Sequence, residues 1–121
     1  MIYLFLAFII KHFVCDFLIQ LPYHYLNKGK YGHLGGVSHA LIHGLGSALC
    51  LAIFDLPFVG LALLDAALHY HIDWAKMNLC QRYNLKPDNG EGYWYLLGLD
   101  QMLHYLTYIF IIGISYGYWA V

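Results

Sequence analysis

Residues 61–76, LALLDAALHYHIDWAK, set Asp65, His69 and Asp73 four residues apart in a largely apolar run. Side chains at that interval lie on one face of an α-helix. The run therefore reads as a helix with ionisable groups stacked on one side. The same device recurs outward along the chain: His12 and Asp16, then His39 and His43, and downstream Asp100 and His104. Four apolar helices, each carrying one such pair, is the pattern that decides the fold.

Composition agrees with an apolar setting. Of 121 residues, 61% are hydrophobic and 11% charged, against roughly 45 to 50% and 25% in soluble domains. An aromatic content of 18% excludes a disordered chain, and a formal charge of -1 leaves no basic stripe, so no nucleic-acid partner is expected. Cys15, Cys50 and Cys80 show no C-x-x-C spacing, which sets aside a disulfide framework and a cysteine zinc site. MIYLFLAFII has neither a positive residue ahead of it nor an A-x-A site behind it, and is expected to stay as a membrane helix.

Four stretches approach the ~20 residues needed to cross a bilayer: about 1–21, 36–54, 56–79 and 93–121. The expectation is one all-α domain over residues 1–121, a polytopic antiparallel four-helix transmembrane bundle. Gly35-Gly36 and Asn89-Gly90 read as breaks, and Pro57 as the first turn of a helix. Lys28 and Lys30 lie in the first connection, Lys76, Arg82 and Lys86 around the third, and only Asp55 in the second. The positive-inside rule then places the first and third connections in the cytoplasm and both termini outside. Tyr3, Tyr116, Tyr118 and Trp119 would mark the outer interface, and Trp74, Tyr93, Trp94 and Tyr95 the inner one. Gly113 and Gly117 form a G-x-x-x-G, read first as internal helix packing and second as a homodimer seam.

Each ionisable side chain inside the hydrocarbon costs at least ~2.5 kcal/mol, so such groups need partners and mark function. Counting along antiparallel helices brings His12, His43, His69 and His104 to one level. Asp16, His39, Asp73 and Asp100 fall one turn nearer the cytoplasm, ~6 Å lower. Bundle cores build metal sites from facing helices, and imidazole with carboxylate favours zinc, manganese, iron or nickel. One or two divalent ions are expected, zinc foremost because histidine dominates the ligand set. The plainer alternative is that these groups only hydrogen-bond one another as polar glue. Asp65 reads as the orienter of a ligand histidine, with a direct ligand role as the lesser alternative. Gln20, Lys76 and Gln101 lie around the inner layer, where they would hold an anionic or phosphorylated substrate. Lys11 reads as no ligand, His24 and His33 as solvated loop residues, and His71 as off the ligand face.

The segments that carry these pairs, HFVCDFLIQ (12–20), SHALIHG (38–44), LHYHIDWAK (68–76) and LDQMLHYL (99–106), together resemble the successive motifs of the DUF3307 family. That family comprises small integral membrane proteins of bacteria and their phages, and is similar in style to the YdjM-like proteins described as metal-dependent hydrolases. The resemblance implies the bacterial inner membrane. Its motif positions are His12, Asp16, Gln20, His39, His43, His69, Asp73, Lys76, Asp100, Gln101 and His104. Asp65 has no counterpart.

The leading reading is a membrane metalloprotein that hydrolyses an ester, phosphoester or amide of a small molecule or lipid, with Asp16 and Asp100 as the proton-handling carboxylates. No G-x-S-x-G, H-E-x-x-H or P-loop pattern accompanies them. A proton or metal-ion conduit is the second reading, opposed by an outer half with almost no polar side chains. A phage membrane effector with a structural metal is the third. The orientation makes a direct prediction: single cysteines at Asn27 and at Asn89 should be protected from impermeant thiol reagents in intact cells. Labelling of either overturns it.

Overall fold

The computed structural model describes residues 1–118, and among these the chain is helical with no strand. Trp119, expected at an interface, lies outside the described residues. Helix α1 (Ile2–Phe13) runs directly into a π-helical turn (Val14–Leu18), followed by the short α2 (Pro22–Tyr25). The long helices α3 (Leu34–Ile53), α4 (Val59–Arg82) and α5 (Gly92–Ser115) complete the chain. Around the bundle α1 packs on α3, α3 on α4, α4 on α5, and α5 on α1. Pairing across it is antiparallel. His12 lies beside His43 while Asp16, one turn further on in the π-helical turn, reaches His39, one turn back along α3.

Helices α3, α4 and α5 stop by one device. Asp55, Asn84 and Gly117 adopt positive φ (54°, 49° and 76°). The next backbone N–H then reaches back five residues, from Leu56 to Leu51, Leu85 to Cys80 and Tyr118 to Gly113, which satisfies carbonyls the helix leaves open. This corrects the reading of Gly113 and Gly117 as one helical seam: Gly117 lies beyond the end of α5 and turns the chain. Gly35-Gly36 is corrected too. Both lie inside the first turn of α3 rather than at a break. A Cβ at Gly36 would stand 3.1 Å from the Lys28 Cα, so the pair seats the loop from Tyr23 to Lys28 against α3. Gly44 does the same between helices, where a Cβ would lie 2.9 Å from the Ala62 carbonyl oxygen.

The distribution of polarity is inverted. Leu6, Ile10, Leu45, Leu49, Leu63 and Phe110 are exposed, whereas Lys11, six helix histidines, Asp65, Asp73 and Asp100 are buried. The apolar core is small and lies at one end of the bundle, where Leu4, Phe8, Leu51 and Ile111 are fully enclosed. That end carries the 54–58 turn and is called the turn end; the opposite end carries the longer connections and is called the loop end. Four crossing helices were expected, but two, Leu34–Ile53 and Gly92–Ser115, are long and apolar enough by themselves. Helix α1 has only 12 residues before its π turn, and α4 carries Asp65, Asp73, Lys76 and Arg82.

Two glycine substitutions should separate packing from propensity. Alanine favours a helix interior by about 1 kcal/mol over glycine, and at Gly98, where a Cβ meets nothing within 4 Å, Gly98→Ala should leave thermal stability unchanged or raise it. Gly44→Ala should instead destabilise by about 1–3 kcal/mol through overpacking, read by circular dichroism in detergent. Equal stability of the two variants would contradict the α3–α4 contact.

Candidate metal centre

Side chains spaced by four residues on α1, α3, α4 and α5 point into the bundle and meet in layers. The first layer is imidazole. His43 and His69 stack with ring centroids 3.5 Å apart, His69 and His104 at 4.1 Å, and His12 stands 5.0 Å from His104. One turn toward the loop end come Asp16, His39, Asp73 and Asp100, as the depth count expects. All eight side chains are enclosed, with Asp16 the least so at 8% exposure.

Asp16, in the π turn, is central. Its Oδ2 stands 3.1 Å from His12 Nε2. Its Oδ1 faces three rings at once: His39 Nε2 at 3.0 Å, His43 Nε2 at 3.1 Å and His69 Nε2 at 3.9 Å, with His39 and His69 Nε2 3.2 Å apart. Four donors around a tetrahedral ion with bonds of ~2.0–2.1 Å would stand about 3.3 to 3.4 Å from one another. The observed separations bracket that value, so Asp16, His39, His43 and His69 fit a metal ion.

Two further groups adjoin it. His12, His69 and His104 form one, and Asp73, Asp100 and His104 the other, each with ligand atoms within 4.8 Å of one another. His104 Nε2 has no hydrogen-bond partner, although Asp100 Oδ1 stands 3.6 Å away and Asp73 Oδ1 3.7 Å. Those gaps exceed the 2.7–3.2 Å of an N–H···O bond and suit two ligands of one ion. Asp100 Oδ1 is likewise unpartnered. The polar-glue alternative would leave these atoms buried and unsatisfied, at about 1–3 kcal/mol apiece.

The supporting residues are placed less uniformly. Gln20 donates to Asp16 Oδ1 (3.2 Å), and Gln101 donates to Asp100 Oδ2 (3.1 Å) while its carbonyl meets His12 Nε2 (3.0 Å). Lys76 Nζ lies 3.7 Å from Asp100 Oδ2. Asp65 orients no histidine: its Oδ2 accepts from Lys11 (2.9 Å) and Ser47 (2.6 Å), one turn toward the turn end. Lys11, which the spacing does not make a ligand, also reaches Tyr108 Oη at 3.4 Å, and Tyr108 meets His12 Nδ1 at 2.7 Å. His71 is exposed and bonds to Ala67 and Tyr31, off the ligand face as expected.

Sequence reasoning missed four participants. Ser47 and Tyr108 continue the four-residue ladders of α3 and α5 by one step, a signal available from spacing alone. His24 is buried rather than solvated, its Nδ1 accepting from the Leu21 N–H at 3.2 Å. Burial, with His39 and Lys28 nearby, holds its imidazole below the ordinary pKa. Lys28, from the folded-back loop, pairs with Asp73 Oδ2 at 3.0 Å. Burial works against its ammonium, but the carboxylates of Asp73, Asp16 and Asp100 outweigh it and raise its pKa above the usual lysine value.

Comparison with known proteins places this geometry in a family. No curated protein and no solved structure matches the chain. The family described as "Protein of unknown function (DUF3307)" matches residues 4–120, nearly the whole of the chain, which therefore belongs to the DUF3307 family.

Proposed function

We propose that the protein is a multi-pass membrane metalloenzyme that hydrolyses an ester, phosphoester or amide, with its site in the cytoplasmic half of a four-helix bundle. The convergence of Asp16 Oδ1 with three imidazole nitrogens at metal-ligand spacing carries this reading. The inverted polarity supports the membrane, because an apolar exterior over a charged core suits lipid better than water. The π turn extends α1 to Leu18, so all four long segments approach spanning length. The lysine-bearing connections gather at the loop end, which the positive-inside rule assigns to the cytoplasm.

A bound ion, zinc foremost, would supply Lewis acidity and lower the pKa of water. The chain's own residues would do the rest. Asp100, whose Oδ1 faces the candidate ion position beside His104 and whose Oδ2 accepts from Gln101, would use Oδ2 to take a proton from water and return it to the leaving group. Asp16, least enclosed of the eight and held by Gln20, borders the mouth. Asp16, Asp73 and Asp100, with His12, His39, His43, His69 and His104, would hold the ion or ions in place.

Two measurements test the reading. Protein purified without chelator should contain one or two first-row transition ions per chain, and His43→Ala should lower that content. Less than about a tenth of an equivalent in the wild type, at a site whose coupling to folding calls for occupancy, would exclude the centre. Gln20→Ala should keep metal and helicity yet reduce kcat/KM on the ester or phosphoester turned over, by about tenfold, which is ~1.4 kcal/mol. Unchanged turnover would remove Gln20 from the site.

A further inference from the structure

Two lysines reach the carboxylate layer from the loop end. Lys28 and Lys76 side chains are 9% and 12% exposed, with ammonium groups 3.0 Å from Asp73 Oδ2 and 3.7 Å from Asp100 Oδ2. Asp73 and Asp100 are also, with His104, one of the three ligand groups. The same two carboxylates thus face both the lysines and the candidate ion position. Once an ion draws on them, two enclosed ammonium groups lose most of their counter-charge in a place that water hardly reaches.

Formal charge shows how large the imbalance is. Two divalent ions and both lysines against Asp16, Asp73 and Asp100 leave three positive charges in excess, and a single ion leaves one. Lys11 does not alter the balance, because Asp65 matches it at 2.9 Å. An uncompensated charge in a low-dielectric interior is costly. A neutral ester or amide would leave the excess standing, whereas a dianion with a small hydroxide-type ligand would cancel it for two ions. Lysine is a point-charge binder of phosphate, and the amides of Gln20 and Gln101 lie beside the same carboxylates.

Building on the metal reading above, we infer that the loaded centre takes a phosphate monoester, or inorganic phosphate as its product, held between the metal ligands and the ammonium groups of Lys28 and Lys76. Gly36 makes this possible by seating the Lys28 backbone on α3. The loop that supplies Lys28 also covers the site with His24, whose ring lies 5.7 Å from that of His39.

The test uses the full chain in phosphatidylcholine nanodiscs, loaded with zinc alone, with metal content measured on the samples used for calorimetric titration with inorganic phosphate. Zinc-loaded protein should bind phosphate at least tenfold more tightly than metal-free protein. Lys28→Gln and Lys76→Gln should each weaken that affinity about tenfold at unchanged zinc content, and Lys28→Arg should restore most of it. Should Lys28→Gln fail to fold, Lys76→Gln, nearer the rim, decides the matter. Zinc-loaded protein that binds no phosphate, or Lys76→Gln with wild-type affinity, overturns this inference and leaves the metal centre standing. Protein that takes up no zinc overturns both. Displacement of phosphate by phosphatidic acid in the disc would assign a lipid headgroup, and displacement by soluble glycerol phosphate alone a soluble ester.

Discussion

Charged and titratable groups enclosed by an apolar exterior have only one another to face, and this constraint organises the bundle. Lys11 and Asp65, at 5% and 1% side-chain exposure, form an ion pair whose loss on one side would cost about 3–5 kcal/mol in a buried setting. Asp16 engages His12, His39 and His43 from three directions. Rotating any helix by one residue would carry its ladder away from these partners and strand the others. Helix rotation and depth are therefore fixed largely by polar contacts, while apolar packing is divided between the cluster around Leu4, Phe8, Leu51 and Ile111 and the small residues Gly44, Ala62 and Ala66 where α3 meets α4.

The π turn shows how local backbone serves that constraint. The Ile19 N–H bonds to the Val14 carbonyl, five residues back, at 3.0 Å, and Asp16 stands inside the widened turn. Such turns gather at functional sites. Here the turn gives one carboxylate access to both the imidazole layer and the layer below it. Its energetic cost is offset by the contacts of both Asp16 oxygens.

Much of this was legible in the sequence, and the parts that were not share a cause. Spacing by four gave the faces of α1, α3, α4 and α5 and the stacking of His12, His43, His69 and His104, because helical periodicity is a local property. Two levels of ligands followed from counting residues. The partner of Asp65 did not follow: its ladder points to His69, but the carboxylate turns away to Lys11 and Ser47, a choice made by α1 and α3. Lys28 and His24 were unreadable for a similar reason, since a polar loop that folds back over a site looks like any solvated loop until Gly35-Gly36 is recognised as a seat. Hydropathy does not single out α4 because Asp65, Asp73, Lys76 and Arg82 dilute it, although Asp65 and Asp73 are buried.

The third polar layer bears on what kind of site this is. Lys11, Ser47, Asp65 and Tyr108 extend the polar groups one turn further than the sequence reading allowed, and Tyr108 links them to His12. That weakens the original objection to a conduit, which was the lack of polar groups in that half. A stronger objection replaces it. Directly beyond Tyr108, Leu4, Phe8, Leu51 and Ile111 close the turn end with no accessible surface, and a proton or hydrated ion finds no partner there. The other end is different in kind, with half-buried Gln20 and Gln101 and the less enclosed Asp16 at its edge. A polar interior closed by apolar side chains at the turn end and edged with amides at the loop end meets polar surroundings in one direction alone, the reverse of what a through-going relay requires.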